Sequence, residues 1–406
     1  MKEGYKKTEV GVIPEDWEVK SINDISYINP ESLKSSTNKK LEIKYIDIES
    51  VSTGKISGVK NHIFEEAPSR ARRIIKKDDV IVSTVRPNLK AIANIKSDLP
   101  NLVCSTGFAV LRNKKNISAK FLYQSILSDI VTNQLVNKTV GSNYPAVNST
   151  DIKETLIIVP PLKEQEKIAD ILSTVDCQID DTEMLIEKCQ ELKKGLMQRL
   201  LTKGIGHKEF KKTEVGEIPV DWEVKKLEDV SYITMGQSPS SDSYNDKGIG
   251  VPFFQGNSEF GNIYPTVKKW CSEPKKIAEP LDILISVRAP VGAVNINNDR
   301  ACIGRGLASI RQSNKINYMY LYYVLSISQD ILNSSAQGST FTAINSKDLK
   351  NFKIAIPSLD EQLKIAQILL SLDNNIEDYK NKKEKLEELK KGLMQQLLTG
   401  KIRTSI

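Results

Sequence analysis

The chain has 406 residues, 39% hydrophobic and 27% charged, the balance of an ordinary soluble globular protein. That length exceeds one hydrophobic core and divides naturally into two domains of about 150 residues plus additional helices. No window approaches the ~18 consecutive apolar residues of a membrane-spanning helix, MKEGYKKTEVG lacks a signal-peptide core, and five scattered cysteines without a CxxC pair read as reduced thiols, which together predict a cytoplasmic protein with no membrane partner.

The chain opens on a segment that it later repeats. Tyr5–Ile28, YKKTEVGVIPEDWEVKSINDISYI, matches Phe210–Ile233, FKKTEVGEIPVDWEVKKLEDVSYI, at 17 of 24 positions. Trp17 and Trp222 read as core anchors beside an Ile-Pro turn. The halves then diverge: INPESLKSSTNKKLEIKYIDIESV has little in common with ITMGQSPSSDSYNDKGIGVPFFQG beyond β-like alternation and turn residues. Similarity resumes where DDVIVSTVRP (Asp78–Pro87) faces LDILISVRAP (Leu281–Pro290), each a buried strand running into a loop with an arginine. VCSTGFAVLR (Val103–Arg112) likewise faces CIGRGLASIR (Cys302–Arg311). A short helix follows in each half, near Lys120–Ile130 and Tyr318–Leu332.

Each half ends in a long helix. From Pro160 to Thr202 there is no proline after Pro161 and a single glycine, Gly195. Ile168, Leu172, Val175 and Ile179 follow at steps of four and three residues, a stripe narrow enough for a coiled-coil seam. Leu185, Cys189, Leu192 and Leu196 continue it after a register slip. The pattern returns 197 residues later as Ile365, Leu369, Leu372, Ile376 and Tyr379, then Leu386, Leu389 and Leu393. Ser358 with Glu361 reads as a capping box, and Pro161 is acceptable at the corresponding start. A long amphipathic helix buries little alone, so the two are expected to pair with each other.

The division is therefore residues 1–160, a first globular domain; 161–205, a long helix; 206–357, a second domain; and 358–406, a second long helix. The fold class is α+β, two repeated domains of mostly short strands with short helices, separated by two long antiparallel coiled-coil helices. Leu162–Lys203 carries a net −2 and Leu359–Lys401 a net 0, so of the overall +7 a surplus of +9 sits on the globular parts. Such a surplus suits a polyanionic partner.

Catalytic motifs are missing. His62 and His207 are the only histidines, far apart and without ligand clusters, and neither a GxxxxGK[ST] loop nor a strand-borne GxGxxG occurs. Asn29-Pro30 reads as a turn.

With the repeat, the variable inserts and the EQEKIADIL and EQLKIAQIL helix openings in hand, the whole chain resembles the specificity subunit of type I restriction-modification systems. Leu-Lys-Lys-Gly-Leu-Met-Gln from Leu192 and from Leu389, and MGQSPSSDSYN (Met235–Asn245), carry the resemblance most specifically. It implies a non-catalytic subunit with two target-recognition domains, each reading one half of a bipartite site in double-stranded DNA. It implies paired helices that hold the domains apart and dock modification (methyltransferase) subunits, to which restriction (endonuclease and translocase) subunits are added. S-adenosylmethionine, Mg2+ and ATP would belong to those partners, with no cofactor or metal on this chain.

On that footing the first domain offers Arg70, Arg72, Arg73, Arg86, Asn88 and Lys90, with the loop Ser142, Asn143 and Tyr144, as DNA contacts. The second offers Gln255, Asn257, Lys268, Lys269, Arg288 and Arg305, with the loop Ser339, Thr340 and Phe341. Arg86 and Arg288 end equivalent strands, which suits phosphate positioning more than base reading. Gly141 and Gly338 suit backbone turns. Other readings stand beside this one: a specificity subunit of a type IIB-like system with a fused nuclease-methyltransferase partner, a nuclease with a dispersed site, and a purely structural coiled coil.

Overall fold

The computed structural model describes residues 3–140, 145–336 and 343–404, and the chain forms two compact units. One comprises Met1–Glu183 with Asn381–Ile406, the other Met184–Lys380. Each long helix therefore contributes to both units: the first spans Leu162–Lys203 and the second Leu359–Leu397.

Within the first unit, an antiparallel hairpin (Tyr5–Thr8 with Gly11–Pro14) leads to the strand Glu18–Ser21, which pairs with Leu156–Val159 just before the first long helix. Two four-stranded sheets follow. One has the order Ile92–Asn94, Val80–Ser83, Phe108–Asn113, Ser26–Ile28, all antiparallel. The other has the order Lys60–Ile63, Glu42–Ile46, Leu102–Ser105, Ala71–Ile74, and its central pair is parallel. Val80–Ser83 is buried along its whole length, as its unbroken Val-Ile-Val run requires.

The second unit repeats this plan. Its antiparallel sheet runs Ser231–Met235, Leu307–Gln312, Ile283–Ser286, Val294–Ile296, and its mixed sheet joins Val251–Phe254 in parallel to Ala301–Ile303. Each short helix expected from the sequence is two helices. Ala119–Ile126 is followed by Asp129–Asn137, and Tyr318–Ile327 by Gln329–Ala336. In the first unit the break falls at Ser128, whose hydroxyl accepts the Val131 N–H and caps a new start.

The same tie fastens globule to helix in both units. Glu164, at the start of the first long helix and without exposed surface, accepts the indole N–H of buried Trp17 at 3.0 Å and Arg403 Nε at 2.8 Å. Arg403 also grips both Asp16 carboxylate oxygens, at 2.9 and 2.8 Å, holding the Asp16 carboxyl below its usual range. In the second unit Glu361 accepts the Trp222 indole N–H at 3.1 Å and the Ile205 N–H at 2.8 Å, with His207 Nε2 at 2.9 Å. The capping box expected at Ser358 is thus half made. The Glu361 N–H donates to Ser358 Oγ at 3.3 Å, but its carboxylate turns to the indole. A buried carboxylate costs several kcal/mol unless paired, so these partners are obligatory.

The helices pair antiparallel within each unit. In the first, Ile168 and Leu172 pack with Leu393, Leu397 and Leu398; in the second, Ile365 and Leu369 pack with Leu196, Leu200 and Leu201. Val175, Leu372 and Ile376 are buried and Ile179 is half-buried. Leu192 and Leu389 depart from expectation: they are 52% and 50% exposed and lie outside the seam.

The register slip is also absent, because buried Thr182 and Ile186 continue the first stripe without interruption while Leu185 is exposed. Continuing at steps of four and three from Ile168 brings Lys193 inward, and the same steps from Ile365 bring Lys390 inward. Each stem lies along the seam with its ammonium on a carboxylate: Lys193 pairs with Asp373, and Lys390 with Asp176. Tyr323 and Gln124 donate to those aspartates at 2.7 Å each. Leu172→Ala is expected to cost about 2–5 kcal/mol, whereas Leu192→Ala should change stability by no more than about 0.5 kcal/mol; urea unfolding of the two variants checks the register.

Candidate nucleic-acid interface

Basic and amide side chains gather at one end of the mixed sheet in each unit, around the turn that joins it to the antiparallel sheet. In the first unit that turn is Ser105–Gly107. The Thr106 N–H donates to the Arg70 carbonyl at 2.8 Å, and the Thr84 N–H donates to the Gly107 carbonyl at 2.8 Å. One turn therefore holds together the Arg70–Arg73 segment and the loop carrying Arg86 and Asn88. That loop is a short 3-10 turn, Pro87–Leu89, flanked by Arg86 at φ 50° and Lys90 at φ 48°, a left-handed conformation uncommon for side-chain-bearing residues. Arg70, Arg86 and Asn88 are exposed.

The other candidates of this unit are held by the protein. Arg72 stacks over the Phe64 ring at 4.6 Å. Arg73 is half-buried, its Nε has no partner and desolvation lowers its pKa. Lys90 Nζ donates to the Leu127 carbonyl at 3.1 Å and pairs with Asp129 at 2.8 Å, which lowers the aspartate's pKa. Ser142, Asn143 and Tyr144, with Gly141, lie outside the described residues, as do Ser339, Thr340 and Phe341, with Gly338.

In the second unit the turn is Gly304–Gly306. Gln255, Lys269 and Arg305 meet there in a cleft of about 400 Å³ also lined by Ser238, Tyr244, Phe253 and Glu259. Arg288 is exposed just beyond Val287, whose N–H donates to the Gly306 carbonyl at 2.9 Å. Lys268 turns away to the Ser258 carbonyl at 3.0 Å, and Asn257 opens the neighbouring 3-10 turn without lining the cleft. Sequence reasoning passed over Ser238, Tyr244 and Glu259; the first two lie inside the MGQSPSSDSYN segment, where a serine two residues after a glycine was the available signal.

Two further arginines, at matching strand ends, are scaffold. Arg112 binds Asp79 through Nε and Nη2 at 2.8 Å each, and Arg311 binds Asp282 at 2.8 and 3.0 Å. Both aspartates are almost fully buried, and these bidentate pairs raise the arginine pKa values.

Among the described residues no group of three or more His, Cys, Asp or Glu side chains is placed to hold a metal. Burial pushes the Cys104 thiol up to about 12, so it is no nucleophile at neutral pH. No helix among the described residues is long and apolar enough to cross a membrane.

Two stretches of the chain, residues 14–191 and 219–388, match the model of the type I restriction modification DNA specificity domain. The chain belongs to the specificity subunits of type I restriction-modification systems. A Methanocaldococcus jannaschii protein provisionally named the type I restriction enzyme MjaX specificity subunit is 40% identical over 99% of this chain and 97% of its own. The MjaVIII specificity subunit of the same organism is 30% identical over 99% of this chain and 96% of its own. A solved chain, from work on complex assembly and conformational transition of the type I R-M system, superimposes with a TM-score of 0.63 at 35% identity. It covers 96% of this specificity subunit and 99% of itself. These relatives favour the type I reading over the type IIB-like one, and the solved chain shares the fold described above.

The geometry separates two kinds of lysine and arginine in this specificity subunit. Arg288→Ala should weaken DNA binding about equally for all sequences and lower the slope of log K against log salt by about one. Lys90→Ala, which removes an internal tie, should lower thermal stability and leave that slope unchanged. Fluorescence anisotropy titrations at several salt concentrations measure both.

Proposed function

We propose that the chain is the non-catalytic reader of an asymmetric, bipartite site in double-stranded DNA, each unit reading one half-site. The observation that carries this is the contrast within the repeat. Two units share the antiparallel sheet's strand order, the parallel pair of the mixed sheet, the turn and the clasp, yet carry different side chains at the same strand ends. A reader of two identical half-sites would have no use for that difference. The +9 surplus on the globular parts supports a polyanionic ligand, and the exposed Arg70, Arg86, Arg288 and Arg305 supply phosphate or base contacts.

In this reading methylation and cleavage belong to partner subunits, which use S-adenosylmethionine, Mg2+ and ATP, and the complex works in the cytoplasm on cellular DNA. Docking of modification subunits has support in the helices. Glu-Leu-Lys-Lys-Gly-Leu-Met-Gln occurs identically at Glu191–Gln198 and Glu388–Gln395. The exposed leucines Leu192 and Leu389 lie in it, as do Gly195 and Gly392, against whose Cβ positions nothing lies within 4 Å. A mid-helix glycine costs about 1 kcal/mol relative to alanine, and nothing in either unit fills the space it leaves. Identical exposed patches on two helices suit two copies of one partner.

Two experiments test this reading. Replacing residues 29–79 with the corresponding segment of another specificity subunit, in cells that also express the modification subunit, should alter one half of the methylated motif and leave the other intact. Mapping of methylated adenines reads the result; simultaneous change of both halves would refute one reader per half-site. Leu192→Asp should remove one of two modification subunits from the purified complex, and Leu192→Asp with Leu389→Asp should remove both, as mass photometry would show.

A further inference from the structure

We propose that Arg305 and Gln255 are the base-reading pair of the second unit, that Ser238 is the residue that positions them, and that Thr106 and Asp47 hold the same two places in the first unit. The inference rests on the reading of the chain as a DNA reader and adds which side chains decide the sequence read.

The backbone makes the site. Val251–Phe254 and Ala301–Ile303 run parallel, with Phe254 opposite Ile303, so both strands end at the same edge. The Gly304 N–H donates to the Phe254 carbonyl at 2.8 Å, and the Gly306 N–H to the Gln255 carbonyl at 3.2 Å. Nothing larger than glycine fits between the segments. A Cβ on Gly306 would stand 2.5 Å from the Gln255 carbonyl oxygen, and one on Gly236 would stand 2.1 Å from the Gly304 carbonyl oxygen. Ser238, Gln255 and Arg305 are the side chains that leave this junction for the cleft.

Ser238 ties them. Its Oγ accepts the Arg305 backbone N–H at 3.2 Å and lies 3.0 Å from Gln255 Nε2 and 3.1 Å from Oε1. One edge of the amide is thus fixed, leaving an N–H and a carbonyl lone pair for a ligand. Tyr244, stacked on Phe253 at 4.5 Å with an 18° interplanar angle, lines the cleft beside them. The Arg305 guanidinium is exposed and makes no ion pair among the described residues, unlike Arg311 six residues on, whose donors are taken by Asp282. An unspent guanidinium matches the pairing of arginine with guanine O6 and N7, and the clamped amide, whose remaining N–H and carbonyl lone pair point apart, adds a single donor or acceptor contact beside it.

The first unit keeps the frame and changes the chemistry. Tyr45 and Ile46 pair in parallel with Val103 and Cys104, which makes Asp47 the counterpart of Gln255 and Thr106 the counterpart of Arg305. The Asp47 carboxylate accepts only, with one oxygen taking the Ile48 N–H at 2.6 Å and the other 3.8 Å from Lys60 Nζ, whereas the exposed Thr106 hydroxyl is short and both donates and accepts. The same two places therefore present different hydrogen-bond codes, which is what an asymmetric site demands.

The test uses the full chain in complex with its modification subunit and duplexes carrying the mapped site, each with one base pair changed. Arg305→Ala should lower affinity for the intact site roughly ten- to hundred-fold and abolish the preference at one position of one half-site. Ser238→Ala should blunt the same preference, and Ser238→Thr, which keeps the hydroxyl, should retain it. Thr106→Ala and Asp47→Asn should act only on the other half-site. Equal unfolding midpoints for these variants and the parent protein exclude misfolding as the cause. A parent complex that discriminates, with Arg305→Ala and Ser238→Ala variants that discriminate equally well or weaken on every duplex alike, would overturn the assignment. A parent complex with no sequence preference would overturn the DNA-reader reading itself.

Discussion

A carboxylate at the first turn of each long helix, fully buried in Glu164 and mostly covered in Glu361, is the interaction on which both units depend. Glu164 and Glu361 each face a tryptophan indole N–H and a basic side chain, Arg403 in one unit and His207 in the other. Glu164 in particular would be costly alone, since an unpaired buried charge loses its hydration without recompense. Together they fix where the helix starts relative to the opening hairpin and to the segment that follows the other helix. The crossed ion pairs Lys193–Asp373 and Lys390–Asp176 then set the antiparallel register further along. Charged pairs of this kind contribute more to choosing one register than to net stability.

Much of this was legible in the sequence because the chain repeats itself. Two tryptophans in matched Ile-Pro contexts are buried anchors, and steps of four and three residues from Ile168 and Ile365 define the start of each seam. The second half of each helix was harder, because leucine is the default sign of a seam and lysine of a surface. Leu192 and Leu389 are exposed while Lys193 and Lys390 turn inward. Period alone decides this, and only if it is followed without a slip past the polar Thr182. Nor does sequence tell a buried Glu164 from the many exposed glutamates of the same helix, because its partners lie 147 and 239 residues away.

The candidate interface was legible only as residue types at strand ends. Arg305 and Arg311 stand in one ten-residue segment, yet one leaves its donors exposed and the other spends them on Asp282. Strand pairing decides the difference, because it places Asp282 beside Arg311 and Gln255 beside the Gly304–Gly306 turn. Arg72 and Lys90 show the same lesson from the other side: each is basic and near the turn, yet one is stacked on Phe64 and the other tied to Asp129. A scaffold made constant by the glycine pair Gly107 and Gly306, a tryptophan clasp and buried Asp–Arg pairs leaves the strand ends beside it free to vary, and those positions are where two units of one chain differ.

The central claim is that one chain reads two unlike half-sites with two like units. Selection of tightly bound duplexes from a randomised library, using the complex of this chain with its modification subunit, tests it most directly. The account predicts a motif of two short specified runs, different from one another, separated by positions without preference. A single uninterrupted motif, or two runs that are the inverted repeat of each other, would contradict it.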